Sequence, residues 1–371
     1  MIKDEHIYIA GPLCFYPTGN KLWTAYRLEA EFYGFDVTLP NDNQLVGPDE
    51  KPTKEEMSKK IFQNCADSMA KTNGIIVNLE TYRGSEPDGG SIYELGMAYA
   101  LGAKCYGFTR DKRTVGVKYQ AAKYNSDNSG ATDIFGENLA PHHLPFSVDL
   151  IGSMKIVEGS FSDCLKVYMT DIEEESKQKA MRGVSIAVEE PCETLKKGEK
   201  LVVYLSDFHR DDKDADMKYA EKKAILEKYG FEAIVPTDDA PGVENIETDD
   251  PYEKAYNLFD RYQQHVRNCD VILSDLNDYR GGYEPASDVA FEAGMAFELE
   301  KKLYAFMDDI GPMIDRIPNG GENNGFRDFN GMNVENFNAP VNLMFGASMK
   351  ILDGSFEDIV RKMREDLNTQ P

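Results

Sequence analysis

The chain has 371 residues, 41% of them apolar, and a formal net charge of −24. That length and apolar share suffice for two hydrophobic cores, and the charge argues against a nucleic-acid polymer as partner, since its phosphates would be repelled. No apolar run is long enough to span a bilayer, and the opening MIKDEHIYIAGP enters a strand with no visible signal peptide. Six cysteines lack Cys-x-x-Cys spacing and read as reduced cytoplasmic thiols, and five histidines show no metal-ligand spacing. Neither a glycine-rich dinucleotide fingerprint nor a P-loop follows a strand, and no GxSxG elbow is present, so no cofactor is expected.

In chain order, HIYIAGPL reads as a buried first strand. NKLWTAYRLEAEFYG follows as a helix, with Leu22, Ala25, Tyr26 and Leu28 near helical spacing and Tyr-Gly at its end, where glycine suits a left-handed cap. FDVTLP is a second strand stopped by proline. A helix over about 54–72, the strand GIIVNL, a YRG loop, a helix from about Ser91 and the strand AKCYGF complete the series. The second half repeats it: KLVVYLSDF, then DMKYAEKKAILEKYG with Tyr219, Ala220, Ala224, Ile225 and Leu226, then FEAIVP, a helix over about 252–268, DVILSDL, a second YRG loop, a helix from about Asp288, and KLYAFM. Such alternation predicts an α/β fold with a parallel sheet and helices on both faces.

The repeat is detailed. Tyr8 matches Tyr204, Pro40 matches Pro236, and Ser153-Met154-Lys155-Ile156 matches Ser348-Met349-Lys350-Ile351, at an offset of about 195–198. A period this long indicates duplicated domains. The seam is placed near 178–199, giving domains at 1–178 and 199–371, and the role of segment 111–140 is left open.

Two loops carry the chemistry. YRGSEPDGGSIYELGMA at 82–98 and YRGGYEPASDVAFEAGMA at 279–296 both end in a glutamate before Gly-Met-Ala: Glu94 and Glu292. The first loop also has Asp88, where the second has Ala286. Ligands of open parallel sheets bind beyond the carboxyl ends of strands, where these loops lie. A glutamate held near a helix N-terminus with a second carboxylate nearby is suited to retaining glycosyl transfer, in which one carboxylate attacks the anomeric carbon and the other handles the leaving group. One copy kept whole beside one broken implies a single working site.

The first half resembles the nucleoside 2-deoxyribosyltransferase family through IYIAGPLCF, LPNDNQ at 39–44 and IIVNLETYRGSEPDGGSIYELGMA at 75–98, above all in its Asp-x5-Glu spacing. The resemblance implies tandem flavodoxin-like, doubly wound parallel-sheet domains. It implies Glu94 as the nucleophile that carries the deoxyribosyl group, Asp88 as a contact to the base, and Tyr8 as hydrogen-bond donor to Glu94. Asn43, Gln44 and Gly11 fall in the matching substrate-binding segments. Many members have an aspartate at the start of the third strand. Here Gly74 takes that place in the first half and Asp270 in the second.

In the family a neighbouring subunit completes each site with an Asn-Leu-Met segment whose asparagine reaches the sugar 5′-hydroxyl. The second half keeps it in FNAPVNLMFGASMKI, as Asn342 and Met344, whereas the first half has FSVDLIGSMKI, with Asp149 and Ile151 at the matching place. A pseudo-dimer fused in one chain is therefore expected. Asn342 and Met344 would complete the Glu94 site, and the mirror site around Glu292, with Ala286, Asp207 and Asp149, would be weak or dead. The expected ligands are 2′-deoxynucleosides and free nucleobases, exchanged by ping-pong chemistry, with further pairing of pseudo-dimers possible. The alternatives are a deoxynucleoside or deoxynucleotide N-glycosidase, and a non-catalytic nucleoside-binding protein.

Overall fold

A computed structural model of the chain describes residues 5–119, 123–124, 131–132, 139, 143–182 and 200–369. The expected seam at 178–199 falls largely outside them. In the first half, β1 (His6–Ala10), α1 (Gly19–Phe32), β2 (Asp36–Thr38), α2 (Lys54–Met69), β3 (Gly74–Asn78), α3 (Gly89–Ala100) and β4 (Lys104–Thr109) follow in turn. Then come α4 (Val115–Lys118), β5 (Lys123–Tyr124), β6 (Ala131–Thr132), α5 (Val148–Ser153), β7 (Lys155–Glu158) and α6 (Phe161–Arg182). The helix α6 thus runs past position 178. The second half has β8 (Val202–Ser206), α7 (Ala215–Lys228), β9 (Glu232–Ile234), α8 (Pro251–Asn268), β10 (Val271–Asp275), α9 (Ser287–Glu298), β11 (Lys302–Phe306), α10 (Met313–Arg316), α11 (Leu343–Ser348), β12 (Lys350–Leu352) and α12 (Phe356–Thr369).

Two five-stranded sheets result, in the orders β2-β1-β3-β4-β7 and β9-β8-β10-β11-β12. All their pairings are parallel. Both orders are the doubly wound, flavodoxin-like arrangement, whose switch point lies between the first and third strands. Strand alternation sorts the side chains: Ile7 and Ile9 pack with Trp23, Phe35 and Phe161 on the outer face, whereas Tyr8 and Ala10 point inward. In the second sheet Val203 and Leu205 face α7 and α12 while Tyr204 points inward.

The inner faces of both halves share one core. The helices α3 and α9 are apolar on nearly every side because each is covered by its own sheet and by the other helix. They meet at glycines: a side chain at Gly96 would strike the Phe291 carbonyl at 2.1 Å, and one at Gly294 the Tyr93 carbonyl at 1.9 Å. The two YRG loops also meet backbone to backbone, where a Cβ on Gly84 would stand 2.7 Å from the Gly282 Cα. These reciprocal contacts define an approximate two-fold between the halves.

Two local expectations change. Leu22 and Leu28 of α1 are exposed, and the helix buries Trp23 and Ala30 instead. Here the neighbouring spacing of Trp23 and Ala30, not the leucines, sets the inward face. Position 74 requires glycine because the Tyr168 hydroxyl of α6 would lie 2.0 Å from a Cβ there. In the second half the Asp270 carboxylate instead accepts the Val202 N–H at 2.7 Å, joining two strands.

Candidate active site

Asp88 starts α3. It is the N-cap, and its Oδ2 accepts the Ser91 N–H at 3.0 Å and the Ser91 hydroxyl. The helix therefore begins at Gly89, two residues before the start expected at about Ser91. The second copy has Ala286 at this position and no side-chain cap. Asp88 is buried, and its Oδ1 has no hydrogen-bond partner.

Glu94 projects from α3 toward β1. The Tyr8 hydroxyl donates to its Oε1 at 2.6 Å, and the Cys65 thiol lies against the same carboxyl. Burial pushes the Glu94 carboxyl up to about 8, with Asp88 adding to the rise, while the bonds from Tyr8 and Cys65 oppose it. Burial likewise raises Asp88, against the bonds from Ser91 that favour its charge. The site thus holds two carboxyls of raised proton affinity, one of them a potential nucleophile and the other a potential acid.

Both carboxyls line a cavity of about 510 Å³, within the range of small-molecule sites. The first half contributes Gly11, Cys14, Phe15 and Trp23, the loop with Pro40, Asn43 and Leu45, and the start of α3. The second half closes it with Asn333 to Phe337 and with Asn342, Leu343 and Met344. Asn342 caps α11 through Oδ1, which accepts the Met344 N–H at 2.9 Å. Its amide rests on the backbone of the Asp88 loop, where a Cβ at Gly90 would stand 2.7 Å from both Nδ2 and Oδ1. The structure thus brings Tyr8, Gly11, Asn43, Asp88, Glu94, Asn342 and Met344 together. It does not bring in Gln44, which is exposed and donates to the Val46 carbonyl at 2.9 Å. Asn43 and Leu45 on either side of it line the cavity, so the Gln44 side chain points the other way, and the Asn43 amide is tied to Asn64 Oδ1 at 2.6 Å.

The mirror position is filled. Tyr204 donates to Glu292 Oε1 at 2.9 Å, as Tyr8 does to Glu94. The Ser206 hydroxyl also bonds Glu292, and Arg210 reaches both its oxygens, at 3.2 and 3.4 Å. Arg210 is buried and lies over the Tyr262 ring at 4.3 Å from the centroid. Burial would lower its pKa, yet Glu292 holds it well above the ordinary value. Asp149, in place of the asparagine, sits beside them, its carboxyl raised by burial and by Asp288 and Glu292. Asp207 turns away to Tyr219 and to Lys222, the latter at 2.7 Å. The neighbouring cavity measures about 40 Å³, far below ligand size. The repeat contained this signal, since Arg210 stands where the first half has Cys14 and Ser206 where it has Ala10.

A doubly wound α/β fold with a carboxylate pair at its switch point, completed by a second copy of itself, defines the class. The family model for nucleoside 2-deoxyribosyltransferases matches residues 7–136 and again 203–344, and the chain belongs to that family. Among solved structures, a 2-desoxiribosyltransferase from Leishmania mexicana is similar at 26% identity, covering 44% of this chain and 97% of that one with a TM-score of 0.35. A conserved protein from Enterococcus faecalis V583 is similar at 18% identity, covering 45% and 98% with a TM-score of 0.31. No curated protein matches the chain. Among the described residues no helix is long and apolar enough to cross a membrane.

Proposed function

We propose that the chain exchanges nucleobases on 2′-deoxyribonucleosides at one site, centred on Glu94. The observation that carries this reading is that Asn342 of the second half and the Asp88–Glu94 pair of the first line one cavity, while Arg210 fills its counterpart. The Glu94 carboxylate attacks C1′, the C1′–N bond breaks, and the base departs with the bonding electrons and takes a proton from Asp88. A ring nitrogen of an incoming base then attacks C1′, the C1′–O bond to Glu94 breaks with its electrons restoring the carboxylate, and the nitrogen's proton passes to Asp88. Tyr8 orients Glu94, Asn342 and Met344 hold the sugar, and Trp23, Leu45 and Asn43 receive the base.

Incubating thymidine with adenine tests the reading. Deoxyadenosine should form by ping-pong kinetics. Thymine released at the same rate with and without adenine would contradict transfer and leave hydrolysis. Binding without either product would leave a non-catalytic nucleoside-binding protein.

A further inference from the structure

Two carboxylates cap the start of α3, and one of them comes from the other half of the chain. Asp88 accepts the Ser91 N–H at 3.0 Å, and Glu284, in the second YRG loop, accepts the Gly89 N–H at 3.0 Å through Oε2. Glu284 is buried, and its Oε1 has no hydrogen-bond partner among the described residues. Burial pushes its carboxyl well above the ordinary range, the charge of Asp88 adds to the rise, and that of Glu335 adds less. Arg83 opposes the rise of both Asp88 and Glu284. Its hydrogen bonds go elsewhere: Nε donates to Asp328 at 3.0 Å and Nη2 to the Asn333 carbonyl at 2.5 Å. The mirror position differs. Glu86, the counterpart of Glu284, accepts the Ser287 hydroxyl at the start of α9, and Arg280, the counterpart of Arg83, lies 3.5 Å from it. The N-cap there is Ala286, which has no proton to give. Where the N-cap aspartate is lost, the crossing glutamate is paired with arginine. Where the aspartate is kept, the arginine is turned to Asp328.

We propose that Glu284 is a positioning residue for the Glu94 site: it fixes the first turn of α3 and keeps on Asp88 the proton that the departing base takes. The assignment rests on the deoxyribosyl reading above, in which Asp88 is the acid. A helix N-terminus favours negative charge, so an N-cap aspartate is ordinarily ionised and has no proton to donate. A second buried carboxyl at the same helix end reverses that preference, because two like charges there disfavour each other. The two carboxyls together hold a proton that neither would keep alone, and Asp88 is the one that lines the cavity. The half whose own site is closed thus supplies the residue that tunes the acid of the other.

The test uses the full chain and two deoxynucleosides that differ in their need for a proton. The base of 2′-deoxyguanosine must take one as it leaves, whereas the cationic base of 7-methyl-2′-deoxyguanosine leaves as a neutral molecule without one. Glu284→Gln keeps an acceptor for the Gly89 N–H and removes the charge. It should lower kcat/KM for release of guanine by about tenfold, and for release of the methylated base by less than about twofold. Glu284→Asp, which keeps a charge at shorter reach, should lose less than Glu284→Gln with the same selectivity. Asp88→Asn should show that selectivity too, and Glu284→Gln added to it should cost little more, as groups that act through one another do. Equal losses for the two nucleosides would make Glu284 a cap and nothing else, and overturn the proposal. Additive losses in the double variant, or no loss in Glu284→Gln, would also overturn it while leaving base exchange standing. A wild-type chain that releases neither base overturns the catalytic reading and the proposal with it.

Discussion

Asn342 lies on the backbone of Gly90, so that a methyl group at position 90 would approach its amide to 2.7 Å. This contact joins the two halves at the point where the family would have two subunits meet. It also predicts how the site fails. Gly90→Ala should push the asparagine away and lower kcat/KM by about 10- to 100-fold, because small misplacements of positioning groups cost that much. Asn342→Asp keeps an acceptor for the Met344 N–H and loses the amide donor, so it should raise KM with little change in thermal stability. Asn342→Ala should lose the cap as well, at about 1 kcal/mol. Steady-state kinetics beside thermal melts separate the two effects.

The pH profile should report Glu94. The nucleophile must be ionised, and burial puts its carboxyl at about 8. The kcat/KM profile, which follows free enzyme, should therefore rise with pH through neutrality and level off above about 8. Tyr8→Phe removes a bond that favours the carboxylate, and should move that limb to higher pH. Stability runs the other way. A carboxyl raised from 4.5 to about 8 on folding contributes stability below pH 4.5 and loses it as pH climbs to about 8. Glu94→Gln should accordingly stabilise the protein relative to wild type more at pH 8.5 than at pH 5. Equal effects at both would contradict a protonated, buried Glu94.

Much of the candidate site was legible in the sequence, and for a physical reason. A duplicated chain carries its own comparison, so the loss of Asp88 at Ala286 and of Asn342 at Asp149 could be read from position alone. The parallel sheets followed from strand–helix alternation and their flavodoxin-like winding from the family resemblance, and Gly34 and Gly230 take the positive φ expected at the ends of α1 and α7. What escaped was long-range. Gln44 was placed by its neighbours in a segment, but its side chain points to solvent between Asn43 and Leu45, which line the cavity. The arginine plug needed the register Cys14–Arg210 to be read as a change in volume and charge.

That plug should be structural. Arg210 is a buried cation held by Glu292. Arg210→Ala leaves that carboxyl without its charge partner, and should cost about 3–5 kcal/mol. Arg210→Ala with Glu292→Gln should recover part of the loss, as coupled sites do. Base exchange per folded molecule should be unchanged in both, because the Glu94 cavity does not include Arg210. Thermal melts and rates on the same preparations decide it.

Of the chain's two glutamate loops, the one that carries Glu94 should do the work. The most direct measurement compares the base-exchange rates of Glu94→Gln and Glu292→Gln. Loss of the nucleophile should reduce exchange by about 1,000-fold or more. Glu292→Gln should leave most of the rate per folded molecule. Equal losses in the two variants, or a surviving rate in Glu94→Gln, would contradict a single site built by Glu94 on one side and Asn342 on the other.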